Sequence, residues 1–357
     1  MNFKLFTKAV LALGFVLLFT RCEKDNSSTL QGKFSKGVFV VNEGNFTHGN
    51  ASISFYNRDS MKVTNDLFTK VNARPLGDVA QSMAEYNGKY YIVVNNSSKV
   101  EVVDKNDFTS LGTITGLDQP RYFLGIDTAK AYISQWGPDG LTGALAVVNL
   151  RTKAVTKTIS TGAGAEKLIQ LGSSVYVVNS GGYGNDSTVA VINPSTDQLV
   201  TKIKVGYNPV ALIADKNSKI WVLCGGKWKD DYSGLEKPGT LVKVNPSNNL
   251  VELTLPFSSM AGSYNRKSLS ISANKDVIYY TLDGQLYEQS VDNTLLNTSV
   301  KISREFYNVA VDPSTSMFYG ADQRNGTTNG WIIRYNQNYS KVDSFQVAIY
   351  PDEIFFN

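Results

Sequence analysis

Seven times along this chain a short aromatic and β-branched run recurs, and that repetition constrains the fold more than any other feature. The runs are Val38-Phe39-Val40-Val41, Tyr90-Tyr91-Ile92-Val93-Val94, Ala131-Tyr132-Ile133, Val175-Tyr176-Val177-Val178, Ile220-Trp221-Val222-Leu223, Val277-Ile278-Tyr279-Tyr280 and Met317-Phe318-Tyr319. Successive runs lie roughly 40 to 57 residues apart, close to the repeat of a β-propeller blade. A polar loop and a second short strand follow each run. Six of the seven second strands end on an Asx residue: Asn57, Asp104, Asn149, Asn193, Asn245 and Asn336. Such side chains start turns by accepting a bond from the backbone two residues on. Third and fourth strands follow, such as residues 199–205 and 210–214. The spacing therefore predicts an all-β fold, a seven-bladed propeller of four-stranded antiparallel blades. No Trp-Asp dipeptide closes the repeats, so this is not the WD40 pattern.

The two ends predict how the ring closes. Only polar chain precedes Val38, so the first blade lacks an innermost strand. Glu353-Ile354-Phe355-Phe356 fits that role and has no later strand to pair with. Placing it inside the N-terminal blade would remove the open edge.

Residues 1–21 read as an export signal. Lys4 and Lys8 precede an apolar stretch, residues 9–20, that is too short to span a bilayer. Cys22 follows, then the polar run Glu23-Lys24-Asp25-Asn26-Ser27-Ser28. This start resembles a bacterial lipoprotein signal, which implies lipidation of Cys22 and a flexible tether over residues 22–36 ahead of a propeller over residues 37–357. Arg21 stands where such signals carry a small residue. The formal charge of +4 includes Lys4, Lys8 and Arg21; without them the chain is nearly neutral. A near-neutral chain carries no electrostatic footprint for nucleic acid, and a membrane anchor would be lipid rather than a basic patch. Cys224, the second of two cysteines, lies in an apolar strand and reads as a small core residue.

His48 is the only histidine, which leaves little for histidine-based acid–base or metal chemistry. No phosphate-cradling glycine loop or calcium loop is present, no metal site is expected, and paired loop carboxylates are lacking. An enzyme of the propeller lyase or quinoprotein type is therefore disfavoured. The loops offer aromatics instead. Antiparallel order puts the loops after the opening runs, and the bends entering each innermost strand, on one face of a propeller. The first set brings Asn45 and His48 with Phe46, Trp136, Tyr183, Trp228 and Tyr232, and Arg324 with Trp331. The entry bends bring Arg74, Arg121 and Tyr122, Tyr207, Arg266 and Tyr307. Flat aromatic faces beside amide and guanidinium donors suit a large planar or amphipathic ligand.

The lipoprotein start, the repeats and the opening Gly37-Val38-Phe39-Val40-Val41-Asn42-Glu43-Gly44-Asn45 resemble the surface propeller lipoproteins of Bacteroidetes. These are similar to YncE-type and YVTN-repeat propellers, and the layout is most similar to the BtuG-type cobalamin-capturing lipoproteins. That resemblance implies an outer-membrane, cell-surface protein that captures cobalamin or a related corrinoid as cargo, not as cofactor. Delivery would be to an outer-membrane TonB-dependent receptor. Nanomolar capture would need about 12 kcal/mol, within reach of several buried aromatics with polar partners. The alternative from another class is an envelope scaffold propeller that binds protein and no small ligand.

Overall fold

The computed structural model describes residues 32–231, 233–257 and 268–357. Their strands form seven antiparallel sheets arranged as the blades of a propeller, with a small extra hairpin and a single short helix, Leu67–Asn72, among the described residues. Each opening run becomes the second strand of its blade: Gly37–Asn42, Lys89–Val94, Lys130–Gln135, Ser174–Asn179, Ile220–Cys224, Val277–Leu282 and Phe318–Asp322. The innermost strands, blades 2 to 7, are Ala80–Tyr86, Pro120–Gly125, Ala165–Leu171, Pro209–Ala214, Leu269–Ile271 and Asn308–Val311. Blade 1 takes its innermost strand, Pro351–Phe356, from the end of the chain, paired antiparallel to Gly37–Asn42. Ring closure is therefore as the sequence predicts.

The period-2 alternation of the runs explains how the blades stack. Strand side chains point alternately to opposite faces, so each second strand serves two layers. In blade 4, Val175 and Val177 pack toward blade 3 with Tyr132, Leu145 and Val147. Tyr176 and Val178 pack toward blade 5 with Leu212, Ile220 and Val222. Seven such apolar layers run between adjacent blades, and stacked rings bridge several of them, including Tyr91 on Phe123 at 3.9 Å and Tyr56 on Phe345 at 4.3 Å. A fully buried side chain of this kind contributes about 1.5–3 kcal/mol, so the core is distributed around the ring. Trp221 is fully buried in one such layer, with its indole N–H donating to Asp215. Cys224 is buried too, and burial pushes its thiol up to about 12.

All six Asx residues do what their position predicts. Each side-chain Oδ1 accepts the backbone N–H of the second or third residue after it, at 2.7–3.0 Å: Asn57 from Ser60, Asp104 from Asn106, Asn149 from Arg151, Asn193 from Ser195, Asn245 from Ser247 and Asn336 from Asn338.

Two expectations need correction. Blade 6 has three strands among the described residues; its fourth position is held by irregular chain that bridges Leu286 through Ile302. Residues 32–36 are not tether, because Phe34 is buried against Phe39, Phe55 and Phe108. The signal segment, Cys22 and the remainder of the tether lie outside the described residues.

Candidate functional site

Near the start of their innermost strands, five blades carry a register shift. It falls after Ala80, Pro120, Ala165 and Pro209, and opposite residues 40–42 for the strand that begins at Pro351. A bulge inserts an unpaired residue and re-aims side chains. It allows two consecutive residues to serve different surroundings. The residues placed there are Gln81, with Ser82 next to it, Arg121 and Tyr122, Glu166 and Lys167, Val210, and Asp352 and Glu353. Except in blade 5, each bulge carries polar groups.

These groups clasp neighbouring blades around the axis. Arg121 is buried and paired with the buried Glu166 of blade 4, Nε to Oε2 at 3.2 Å and Nη2 to Oε1 at 3.0 Å. Ser82 donates to the Arg121 carbonyl at 2.6 Å. Glu353 accepts the Met83 N–H of blade 2 at 2.7 Å. Asp352 accepts from Asn308 of blade 7 at 3.0 Å, and Asn308 accepts from Ser268 of blade 6 at 2.8 Å. Burial pushes the Glu353 carboxyl up to about 7, partly opposed by Lys167, while Asp352 adds to the rise. Burial likewise raises the Tyr122 phenol, helped by the charge of Glu166; the charges of Asp352 and Glu353 reach it from two blades away. Tyr307 donates to Glu43 at 3.3 Å, and burial followed by that carboxylate raises its phenol. The axis thus gathers four carboxylates, Glu43, Glu166, Asp352 and Glu353, with two cations, Arg121 and Lys167.

Four of the residues singled out in the sequence come together above this cluster. The Arg121 guanidinium lies 4.4 Å from the Trp136 ring, and the Trp136 indole N–H donates to Glu166 at 3.1 Å. Tyr183 meets Trp136 edge-on at 5.5 Å while 63% exposed, and its hydroxyl donates to Gln119 at 3.2 Å. Tyr122 adjoins Arg121 on the same strand. Arg121 and Glu166 therefore fix the indole from below, and Tyr183 offers a held but open aromatic surface.

The others lie elsewhere, so the aromatics form separate groups rather than a single ring. Asn45 donates to the Gly326 carbonyl at 2.6 Å, joining the loops of blades 1 and 7. His48 is exposed, with its Nδ1 2.9 Å from the Phe46 carbonyl. Arg324 and Trp331 line an open groove on blade 7. Tyr207 is 37% exposed on blade 5, and its carbonyl accepts the Gly226 N–H at 3.1 Å, just before the extra hairpin formed by Lys227–Trp228 and Leu235–Lys237. Arg74 turns away from the mouth. Both its terminal nitrogens bond the buried Glu101 carboxylate at 2.8 Å, in the wall of blade 2. Burial alone would raise the Glu101 carboxyl, but Arg74 and Lys99 more than offset this and hold it low. Arg74 is thus a structural ion pair. Tyr232 and Arg266 fall outside the described residues.

Reading loops for aromatics missed Glu43, Glu166, Lys167, Asp352 and Glu353. A signal was present. Ala80, Pro120, Ala165 and Pro351 each stand immediately before a polar pair near the start of an innermost strand.

Comparison with solved structures finds the same architecture at low sequence identity. A quinonprotein alcohol dehydrogenase-like protein from Bacteroides thetaiotaomicron superposes with a TM-score of 0.69 at 14% identity, over 90% of this chain and 78% of that one. A putative 6-phosphogluconolactonase from Bacteroides fragilis gives 0.62 at 14%, over 93% and 100%. A functionally unknown protein from Desulfotomaculum acetoxidans gives 0.62 at 12%, over 90% and 99%. At these identities the likeness establishes the fold alone. Comparison with curated proteins finds no match. One family model spans the whole propeller, residues 36–357, and the chain belongs to that family, described as a domain of unknown function, DUF5074.

Proposed function

We propose that this protein is a non-enzymatic capture lipoprotein of the outer membrane, holding cobalamin or a related corrinoid on the loop face that bears Tyr183 and Trp136. Cys22 would carry the lipid, and an outer-membrane TonB-dependent receptor would take the cargo. The observation that carries the ligand face is Tyr183, a largely exposed ring held edge-on by Trp136 over the buried Arg121–Glu166 pair. An exposed aromatic with a fixed orientation loses little freedom on binding and buries a large area. Gln119 supplies an amide at its rim, suited to the carbonyl and amide groups of a broad, flat, amphipathic molecule. The choice of a corrinoid comes from the resemblance to cobalamin-capturing lipoproteins, and the lipid from the residues around Cys22.

Titration calorimetry of cyanocobalamin into the folded protein tests this, with tryptophan fluorescence recorded alongside. One-to-one binding with quenching is expected. Tyr183→Ala should weaken it more than about tenfold, or about 1.4 kcal/mol, as for an aromatic anchor at the centre of an interface. Absence of heat and quenching at tens of micromolar ligand, on the scale of ordinary affinities, rejects the corrinoid and leaves the scaffold reading.

A further inference from the structure

We propose that the outer flank of blade 7 is a second site, a shallow groove that binds an oligosaccharide independently of the central mouth. The groove encloses roughly 530 Å3 and is lined by Arg324, Asn325, Thr328, Asn329, Trp331 and Gln346. Its floor is a row across three strands: Asp322, Trp331 and Gln346 are direct cross-strand partners. Such partners point to one face of a sheet. That face looks toward blade 6, because Ile333, two residues from Trp331, packs with Leu286 and Ile302. Blade 6 has irregular chain in place of a fourth strand. Among the described residues, no strand of blade 6 covers the outer part of this row.

The chemistry of the lining is that of a sugar site. Trp331 is half-buried, and the Arg324 guanidinium lies 5.8 Å from its ring. An indole held this way offers its flat face to the C–H side of a pyranose, while planar amides and a guanidinium bond the hydroxyls at its edge. The amides of Asn329 and Gln346 are exposed, and their side chains make no hydrogen bond with the described protein. The Asn325 Oδ1 accepts from the Thr327 and Thr328 N–H groups and the Thr328 hydroxyl, so its NH2 is left to donate outward. Among the described residues, Asp322 in the floor row is the carboxylate nearest the groove, and none is among the six lining side chains. Asp322 is held by Arg304 and lies 3.8 Å from the Arg324 Nε. Two arginines against one aspartate leave a local charge that admits neutral sugars and favours uronic ones. Blade 7 also lies across the ring from blades 3 and 4, which carry Trp136 and Tyr183. A ligand at one site leaves the other free.

Saturation-transfer NMR on the full chain tests this, with cellotriose, chitotriose and trigalacturonate as probes at about 5 mM, suited to weak sites. Transfer to at least one probe is expected. It should fall at least about fivefold in Trp331→Ala and in Gln346→Ala, the effect of losing a contact worth about 1 kcal/mol. The second substitution sits on an exposed outer strand and leaves the fold intact. Transfer to trigalacturonate alone would assign an acidic saccharide, and transfer to the neutral probes a general one. Tyr183→Ala and added cyanocobalamin should change nothing. The proposal falls if folded protein shows no transfer to any probe, if both groove variants keep it, or if cyanocobalamin displaces the sugar. The last result would merge the groove with the mouth, whereas failure of cobalamin binding alone would leave the groove standing.

Discussion

Glu353→Gln should make the protein more stable as pH rises above about 4.5, with the full gain reached near neutrality and kept in alkali. The carboxyl is enclosed by neighbouring strands and accepts the Met83 N–H, and burial lifts its pKa from 4.5 to about 7. Below pH 4.5 it is protonated in both folded and unfolded chains and adds no pH dependence. Between 4.5 and 7 the unfolded chain gains by ionising while the folded one holds its proton, so stability falls as pH rises. Above 7 both are ionised and the loss is complete and constant. The gap corresponds to about 3 kcal/mol. That figure is an upper one, because part of the side chain still meets the axial space and is solvated there. Glutamine keeps an oxygen for the Met83 N–H and cannot ionise; it forgoes the attraction of Lys167. For a domain of this size each kcal/mol moves Tm by about 1.5 °C. Thermal unfolding followed by circular dichroism should therefore show the variant about 4 °C above the parent at pH 8.5 and level with it at pH 4.5. Other titrating groups largely cancel between the two proteins. A difference that stays constant across pH, or grows toward acid, refutes the reasoning.

Two further outcomes follow from the ring. Removing residues 350–357 takes out the innermost strand of blade 1, with Ile354 and two of the four axial carboxylates, Asp352 and Glu353, and should abolish cooperative thermal unfolding. A truncated protein that melts cooperatively near the parent Tm would mean that the ring does not depend on this strand. Glu166→Ala strands the buried Arg121 charge and removes the acceptor of the Trp136 indole, so it should cost about 3–5 kcal/mol in urea unfolding. A cost below about 1 kcal/mol, typical of exposed pairs, would show that Arg121 finds water instead.

The fold was legible because its signals are local. Alternating apolar runs choose the strand, Asx side chains choose the turn, and the mismatch between the chain ends chooses the closure; each depends on a few adjacent residues. The exceptions were not local. Whether the segment after Ser290 forms a fourth strand depends on what blade 7 presents to it, and Phe34 joins the core only because Phe55 and Phe108 converge on it. The grouping of the candidate residues was legible in part. Arg121, Tyr122, Trp136 and Tyr183, read as loop-mouth residues, lie together, whereas the pairing of Arg74 was invisible because its partner Glu101 lies in a strand 27 positions further on. The axial carboxylates escaped because alternation treats a strand residue as core or surface. A bulge creates a third option, toward the axis.

Blade 5 makes the polarity of that axis a problem rather than a by-product. Its bulge carries Val210, buried in the apolar layer with Trp221 and Leu223. The bulge therefore does not demand charge, and an apolar residue suffices to hold an innermost strand in place. Yet the strand that closes the ring carries Asp352 and Glu353 side by side, and the second pays for enclosure with a raised pKa. Replacing a buried charged group with an apolar one of similar size is often neutral or stabilising, so closure alone gives no reason to keep them. A carboxyl that costs stability, in the same axial cluster as the Arg121–Glu166 pair, marks a place where the chain departs from its own best packing, and such departures concentrate at functional sites. On the proposed reading, the axis fixes Arg121 and Glu166, these fix Trp136, and Trp136 fixes the exposed Tyr183. The energy lost at the centre is then recovered as orientation at the mouth.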